Sequence, residues 1–216
     1  MIVLARFFLA VAAMAVVVAA SNYFVQFPVA AHVFGIDLAN LLTWGAFTYP
    51  VAFLVNDLTN RYFGARVARL VVLVGFVIAV GWSVFLATPR IAIASGSAFL
   101  VAQLLDISIF DRLRRSPKWW RAPFISSMSG SVLDTVIFFS IAFAAPFSGL
   151  DGAFGRSDGS LMMLAPYLGF GHDLPLWLSL ASGDFIVKTV VALTLLAPYR
   201  VLRTVIADRV TRPALA

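Results

Sequence analysis

Apolar residues run along this chain in long blocks, separated by short polar stretches rich in arginine. Six blocks are predicted to cross a membrane as helices, which takes roughly 20 apolar residues each. They are residues 4–27, 36–57, 65–88, 91–110, 120–145 and 175–199. A helix satisfies its backbone within the segment, and lipid offers no other partner. The blocks are too long for barrel strands, which alternate over about ten residues. The pattern therefore predicts an all-α, polytopic fold, with residues 1–216 as a single six-helix membrane domain. Pro28, Pro89, Pro117, Pro146, Pro175 and Pro198 stand near block ends, and Pro50 inside the second block predicts a kink. The first block begins like a signal peptide, with Arg6, a run from Phe7 to Ala20 and the small-residue site Ala19-Ala20-Ser21. Its apolar character continues to Pro28, so it is read as a span.

One long connection interrupts this rhythm, at 146–174. Its first half is rich in Gly, Ser and Asp, and its second half, Leu161 to Phe170, is apolar. Two readings stand: an external loop with a short interfacial or re-entrant piece, or an insertion without a role.

Composition agrees with a membrane class. Hydrophobic residues make up 62% and charged residues 12%, about half the charge of a soluble domain. The formal charge is +6, and the placement of the bases explains it. Of 16 basic residues, all but Arg90, Arg156 and Lys188 fall on one side if both termini are cytoplasmic. That bias orients the chain N-in and C-in, and assigns the positive charge to topology rather than nucleic acid. Trp119 and Trp120, beside Lys118 and Arg121, read as an interfacial belt. There is no cysteine, and all ten acids are aspartates. Disulfides, thiolate chemistry and Glu-based metal motifs are excluded. His32 and His172 fall in connections and receive no role.

Charge inside the blocks carries the functional signal. Asp134 lies near the centre of the fifth block, where a carboxylate costs about 2.5–3.5 kcal/mol on insertion scales. Ser127, Gly130 and Ser131 precede it on nearly the same face. Asp184 and Lys188 form an i,i+4 pair in the sixth block, and Asn22 and Gln26 do the same in the first. With N-in topology these five residues converge between the midplane and the outer face. Trp44 and Phe47 are aromatic candidates for stacking on a flat ligand, with plain packing the alternative. A second group sits towards the cytoplasmic ends: Asp57, Arg61, Gln103, Asp106 and the pair Asp111–Arg115. It is read as a gate or as structural polarity, with Asp57–Arg61 and Asp111–Arg115 as i,i+4 ion pairs. Gly75, Ala79, Gly96 and Gly130 allow close helix packing, either within one chain or at a dimer face.

Several strings, in order along the chain, resemble the queuosine precursor transporter family within the vitamin uptake transporter group. They are Ser21 to Pro28; Thr43 to Phe47; Asp57-Leu58-Thr59 with Arg61 and Phe63-Gly64; and Gln103 to Asp106 with Phe110 to Arg114. Trp119-Trp120 with Ala122-Pro123, Gly130 to Thr135, and Asp184 with Lys188 complete the set. The resemblance implies a multi-pass importer in the bacterial inner membrane. Its substrates would be 7-cyano-7-deazaguanine and its aminomethyl counterpart, used in tRNA queuosine salvage. It implies no cofactor, a helical core like the substrate-binding components of energy-coupling-factor importers, and a homodimer by analogy. The connection 146–174 is longer than the family pattern, so no lid role is carried over to it.

A deazaguanine presents N1–H and a 2-amino group side by side, and a carboxylate is the matching acceptor. Asp134 is the first choice, with Asn22, Gln26 and Lys188 serving the remaining edge, Asp184 orienting Lys188, and Trp44 or Phe47 stacking. Other classes remain open. An importer of another flat heterocycle fits the same site. An intramembrane aspartyl or Ser–Lys enzyme is formally possible, though the chain lacks Cys, Glu and an intramembrane His. A scaffold subunit needing energised partners is the third.

Overall fold

The first apolar block folds as α1 (Ile2–Phe24), and its exposed face carries Leu4, Phe8, Leu9 and Val16, side chains suited to lipid. The computed structural model describes residues 2–25, 27–33, 35–86, 89–147, 149, 152, 163–170 and 172–211.

The second block is not one helix. It opens on β2 (Ile36–Asp37), which pairs antiparallel with β1 (His32–Val33) just before the block, the two joined through Gly35 at φ 81°. A 3-10 turn (Leu38–Asn40) follows, capped by Asp37, whose carboxylate accepts from the Ala39 N–H at 3.0 Å. Helix begins only at α2 (Gly45–Thr48) and resumes as α3 (Pro50–Phe63). Pro50 lacks the N–H that would continue the ladder but suits a helix's first position. Tyr49, between them, keeps helical backbone angles (φ −56°, ψ −42°), so α2 and α3 run on as one segment interrupted beside Pro50. Asp37, Asn40 and Thr43 are the polar residues that a hydropathy average dilutes.

Gly64, at φ 87°, closes α3. This left-handed angle suits glycine at a helix end. Then come α4 (Ala65–Leu86), α5 (Pro89–Leu113) and α6 (Arg121–Phe143). The described part of the long connection contains an antiparallel hairpin, β3 (Leu164–Pro166) with β4 (Asp173–Pro175), around a 3-10 turn at Tyr167–Gly169. The last helix, α7 (Leu176–Thr211), runs well past 199 with Pro198 inside it. Pro198 therefore does not end the segment; the arginine-bearing stretch beyond it continues the helix outside the apolar block.

Four stretches, Leu4–Phe24, Pro89–Leu113, Arg121–Phe143 and Leu176–Val205, are long and apolar enough to cross a membrane among the described residues. The chain is a helical, multi-pass membrane protein. α5 and α6 share the most extensive interface, α1 packs on α4, and α3 touches α4, α5, α6 and α7 from the middle. A core cluster joins Met14 and Val18 of α1, Ala52 of α3, Val71 and Val72 of α4, and Phe99 and Ile107 of α5. The small residues serve this packing: a Cβ at Gly75 would meet Met14 at 2.7 Å, and one at Gly130 would meet Phe53 at 2.6 Å. Gly96 faces Phe76; the side chain of Ala79 lies outside the described residues.

Candidate substrate cavity

Two helices and Tyr49, between α2 and α3, supply one buried ionic cluster. Lys188 of α7 donates from Nζ to Oδ2 of Asp134 on α6 at 2.6 Å and to Oδ2 of Asp184, one turn earlier on α7, at 2.5 Å. The Tyr49 hydroxyl donates to Oδ1 of Asp134 at 2.7 Å. The Thr135 hydroxyl donates to Oδ2 of Asp184 at 3.0 Å. The ammonium also stands 5.0 Å from the Tyr49 ring centroid, a cation–π distance. Lys188 and Asp134 are only 4% and 5% exposed. Buried charges of this kind persist when their partners satisfy most hydrogen-bonding positions, and these do.

Local structure explains the convergence. Tyr49, between α2 and α3, packs its ring edge-on against Phe53 and Phe99 (5.9 and 6.3 Å between centroids). Gly183 lets α7 approach the second block closely; a Cβ there would lie 2.5 Å from the Leu41 carbonyl oxygen. Gly45 does the same for α2 against the backbone of Val25 (2.9 Å). These contacts surround a cavity of about 90 Å³, lined by Ser21, Asn22, Val25, Thr43, Gly45, Ala46, Tyr49, Ile91, Ser95, Asp134, Phe138, Asp184 and Lys188.

Four of the predicted residues, Asn22, Asp134, Asp184 and Lys188, therefore meet at one cavity. Gln26 lies outside the described residues. Trp44 and Phe47 do not line the cavity. Their rings pair at 5.7 Å and are 48% and 38% exposed, because α2 turns Gly45 and Ala46 inward instead. The aromatic walls are Tyr49 and Phe138. In the sequence Tyr49 is one aromatic among several and carries no predicted role. Its position just before Pro50 is the signal that marks it. Thr135 adjoins Asp134 in sequence yet bonds Asp184, which no local pattern reveals.

The inner group forms a separate cluster at the α3–α5–α6 junction. Asn56, Asn60, Gln103, Asp106 and Ser126 are fully buried, and Asp57 nearly so. Asn56 donates through Nδ2 to Oδ2 of Asp106 (3.0 Å) and to the Gln103 carbonyl (3.3 Å). Ser126 donates to Oδ1 of Asp57 at 3.3 Å. The predicted helical ion pairs are rearranged. Arg61 donates to the Arg114 carbonyl at 3.0 Å, and among the described residues no ion pair joins it to Asp57. Asp111 pairs with Arg114 at 3.0 Å, one position short of the expected Arg115. Arg90, placed outside by the charge pattern, is fully buried at the start of α5.

Comparison with known proteins adds relatives. The chain is 41% identical over 147 residues to the "Queuosine precursor transporter" of Escherichia coli, covering 59% of this chain and 64% of that protein. It is 42% identical over 160 residues to the "Probable queuosine precursor transporter" of Haemophilus influenzae, covering 61% of this chain and 68% of that protein. The matched region thus spans just under two thirds of the first relative's length. No solved structure matches. Residues 43–202, most of the chain, match the family described as "Putative vitamin uptake transporter", and the chain belongs to that family.

Proposed function

We propose that this protein imports queuosine precursors, 7-cyano-7-deazaguanine and its aminomethyl counterpart, across the bacterial inner membrane. It acts as a transporter rather than an enzyme. Residues 1–216 form one domain of six crossings with both termini cytoplasmic, the α2–α3 segment being the second and α4 the third. The helical core is like that of the substrate-binding components of energy-coupling-factor importers. The names of the two relatives support the substrate class. The observation that carries the site is the cavity bordered by Asp134, Asp184 and Lys188 between otherwise apolar helices.

Within that cavity the carboxylates divide their work. Each Asp134 oxygen already accepts a hydrogen bond, one from Tyr49 and one from Lys188. Asp184 uses only Oδ2, and its Oδ1 accepts no hydrogen bond among the described residues. Its side chain is 18% exposed, against 7% for Asp134. Asp184 is therefore the acceptor that reaches the N1–H and 2-amino edge first, while Asp134 holds Tyr49 and Lys188 in place. Two of the three ammonium hydrogens serve Asp134 and Asp184, which leaves one for the O6 of the base. Asn22 faces the remaining edge, and Tyr49 or Phe138 stacks on the ring. A cavity of about 90 Å³ is well under the roughly 300 Å³ at which ligand pockets commonly begin. Substrate entry must widen it, as alternating access around a central site requires.

Uptake of labelled 7-cyano-7-deazaguanine into liposomes containing only this protein tests the proposal. Saturable uptake is expected, competed by the aminomethyl compound and not by adenine, whose reversed donor pattern leaves Asp184 unpaired. Competition by adenine equal to that of the deazaguanines, or neither binding nor uptake by folded protein, would overturn it.

A further inference from the structure

We propose that the buried Asp57–Asp106 cluster, separate from the substrate cavity, is a proton-binding site through which import is coupled to the proton gradient. The coupling clause rests on the import function proposed above; the proton site itself does not.

Two carboxylates are buried at the α3–α5–α6 junction with neutral partners only. Asp106 is fully buried and accepts from Asn56 through Oδ2; among the described residues its Oδ1 has no partner at hydrogen-bond distance. Asp57 is 2% exposed and accepts from Ser126. Among the described residues, Oδ1 of the fully buried Asn56 and both amide atoms of the fully buried Gln103 likewise have no partner at hydrogen-bond distance, although Gln103 interacts with the Tyr49 hydroxyl from further away. The cluster thus holds acceptor oxygens in excess of donors. One added proton on Asp106 would create the missing O–H donor and remove one of two like charges, which a site out of water does not keep together.

Among the described residues no cation forms an ion pair with Asp57 or Asp106, although the Arg61 guanidinium acts on Asp57 from further away. On α3, Arg61 directs its guanidinium to the Arg114 carbonyl of α5, and Arg114 itself pairs with Asp111. On α7, Arg203 lies over the Trp119 ring at 5.9 Å, and Lys188 is held by the two outer aspartates. On α1, Arg6 bonds Tyr62. α6 presents serines to the cluster, Ser126 among them. The other titratable groups facing this region are Tyr49, towards the outer cavity, and Tyr199 of α7, whose buried hydroxyl lies near the Arg61 guanidinium. Asp57, Ser127 and Tyr199 border a void of about 10 Å³, close to the space one water needs. That void gives the proton a polar stepping point beside Asp57.

Infrared spectra of the purified protein, recorded across a pH series without substrate, test the site directly. Wild type is expected to keep the carbonyl band of a protonated carboxyl group at neutral pH. The Asp57→Asn/Asp106→Asn double variant loses it, and Asp184→Asn retains it. If the double variant does not fold, the isosteric Asp106→Asn variant must shift or remove the same band. No band in the wild type, a band untouched by these changes, or a band displaced by Na⁺ at constant pH would overturn the proposal. In liposomes, an imposed inward proton gradient should drive precursor accumulation and acidify the lumen. Asp106→Asn should still bind precursor and exchange it at equilibrium while losing gradient-driven accumulation. Accumulation by the variant at the wild-type level would refute the coupling. An infrared band without any precursor uptake would instead refute the import reading and leave the proton site standing.

Discussion

Lys188 sits between two carboxylates, and its replacement by methionine would leave Asp134 and Asp184 buried without a cation. Breaking a buried pair in this way costs about 3–5 kcal/mol. Lys188→Met should therefore lower the yield of folded protein, read by size-exclusion chromatography of a fluorescent fusion. Adding Asp134→Asn and Asp184→Asn should restore the yield without restoring precursor binding. Tyr49→Phe removes one donor to a carboxylate, a bond of about 1.5–3 kcal/mol. Its thermal transition should fall below that of wild type while the fold is kept. An unchanged transition would mean that the hydroxyl contributes nothing to the cluster. The charged members of this site were legible because apolar surroundings make each one costly. The i,i+4 pairing of Asp184 with Lys188 was legible too; that of Lys188 with Asp134 was not, because they stand 54 positions apart and no local spacing rule reaches across helices. Trp44 and Phe47 lie off the lining of this cavity, and an aromatic side chain in an apolar block gives no sign of which way a short helix turns.

Among the elements, the second apolar block shows how far hydropathy goes. Its average predicts a span, yet β2, the turn capped by Asp37 and the interruption beside Pro50 divide it into strand, turn and two helices. The place where α2 gives way to α3 was readable from Pro50. The extended portion was not, because a few polar residues barely move a window average. Glycine positions give the element scale its sharpest test. At Gly183 a methyl group would meet backbone, the Leu41 carbonyl oxygen, whereas at Gly130 it would meet the ring of Phe53. A ring can rotate away and a carbonyl held in a turn cannot. Gly183→Ala, next to Asp184, should weaken precursor binding by on the order of tenfold or more, equivalent to about 1.4 kcal/mol. Gly130→Ala should act mainly on thermal stability. Titration of both purified variants checks this, and equal binding losses would contradict the argument.

For the whole molecule, the distribution of arginines along the chain predicts its orientation, because short connecting loops carry the bias. The chain has no cysteine, so single cysteines report topology without background. Labelling from the periplasmic side should reach His32→Cys and not Ser116→Cys; the reverse pattern would invert the orientation. The overall class was legible because lipid permits few architectures. The inner polar cluster was legible only as residues, since its burial depends on how α3, α5 and α6 pack.

The most direct test of the site is titration of the purified protein with 7-cyano-7-deazaguanine, beside Asp184→Asn. The account predicts saturable binding by wild type and a loss of on the order of a hundredfold or more in the variant, about 2.7 kcal/mol or more. A folded variant that binds as tightly as wild type would place the substrate elsewhere in the molecule.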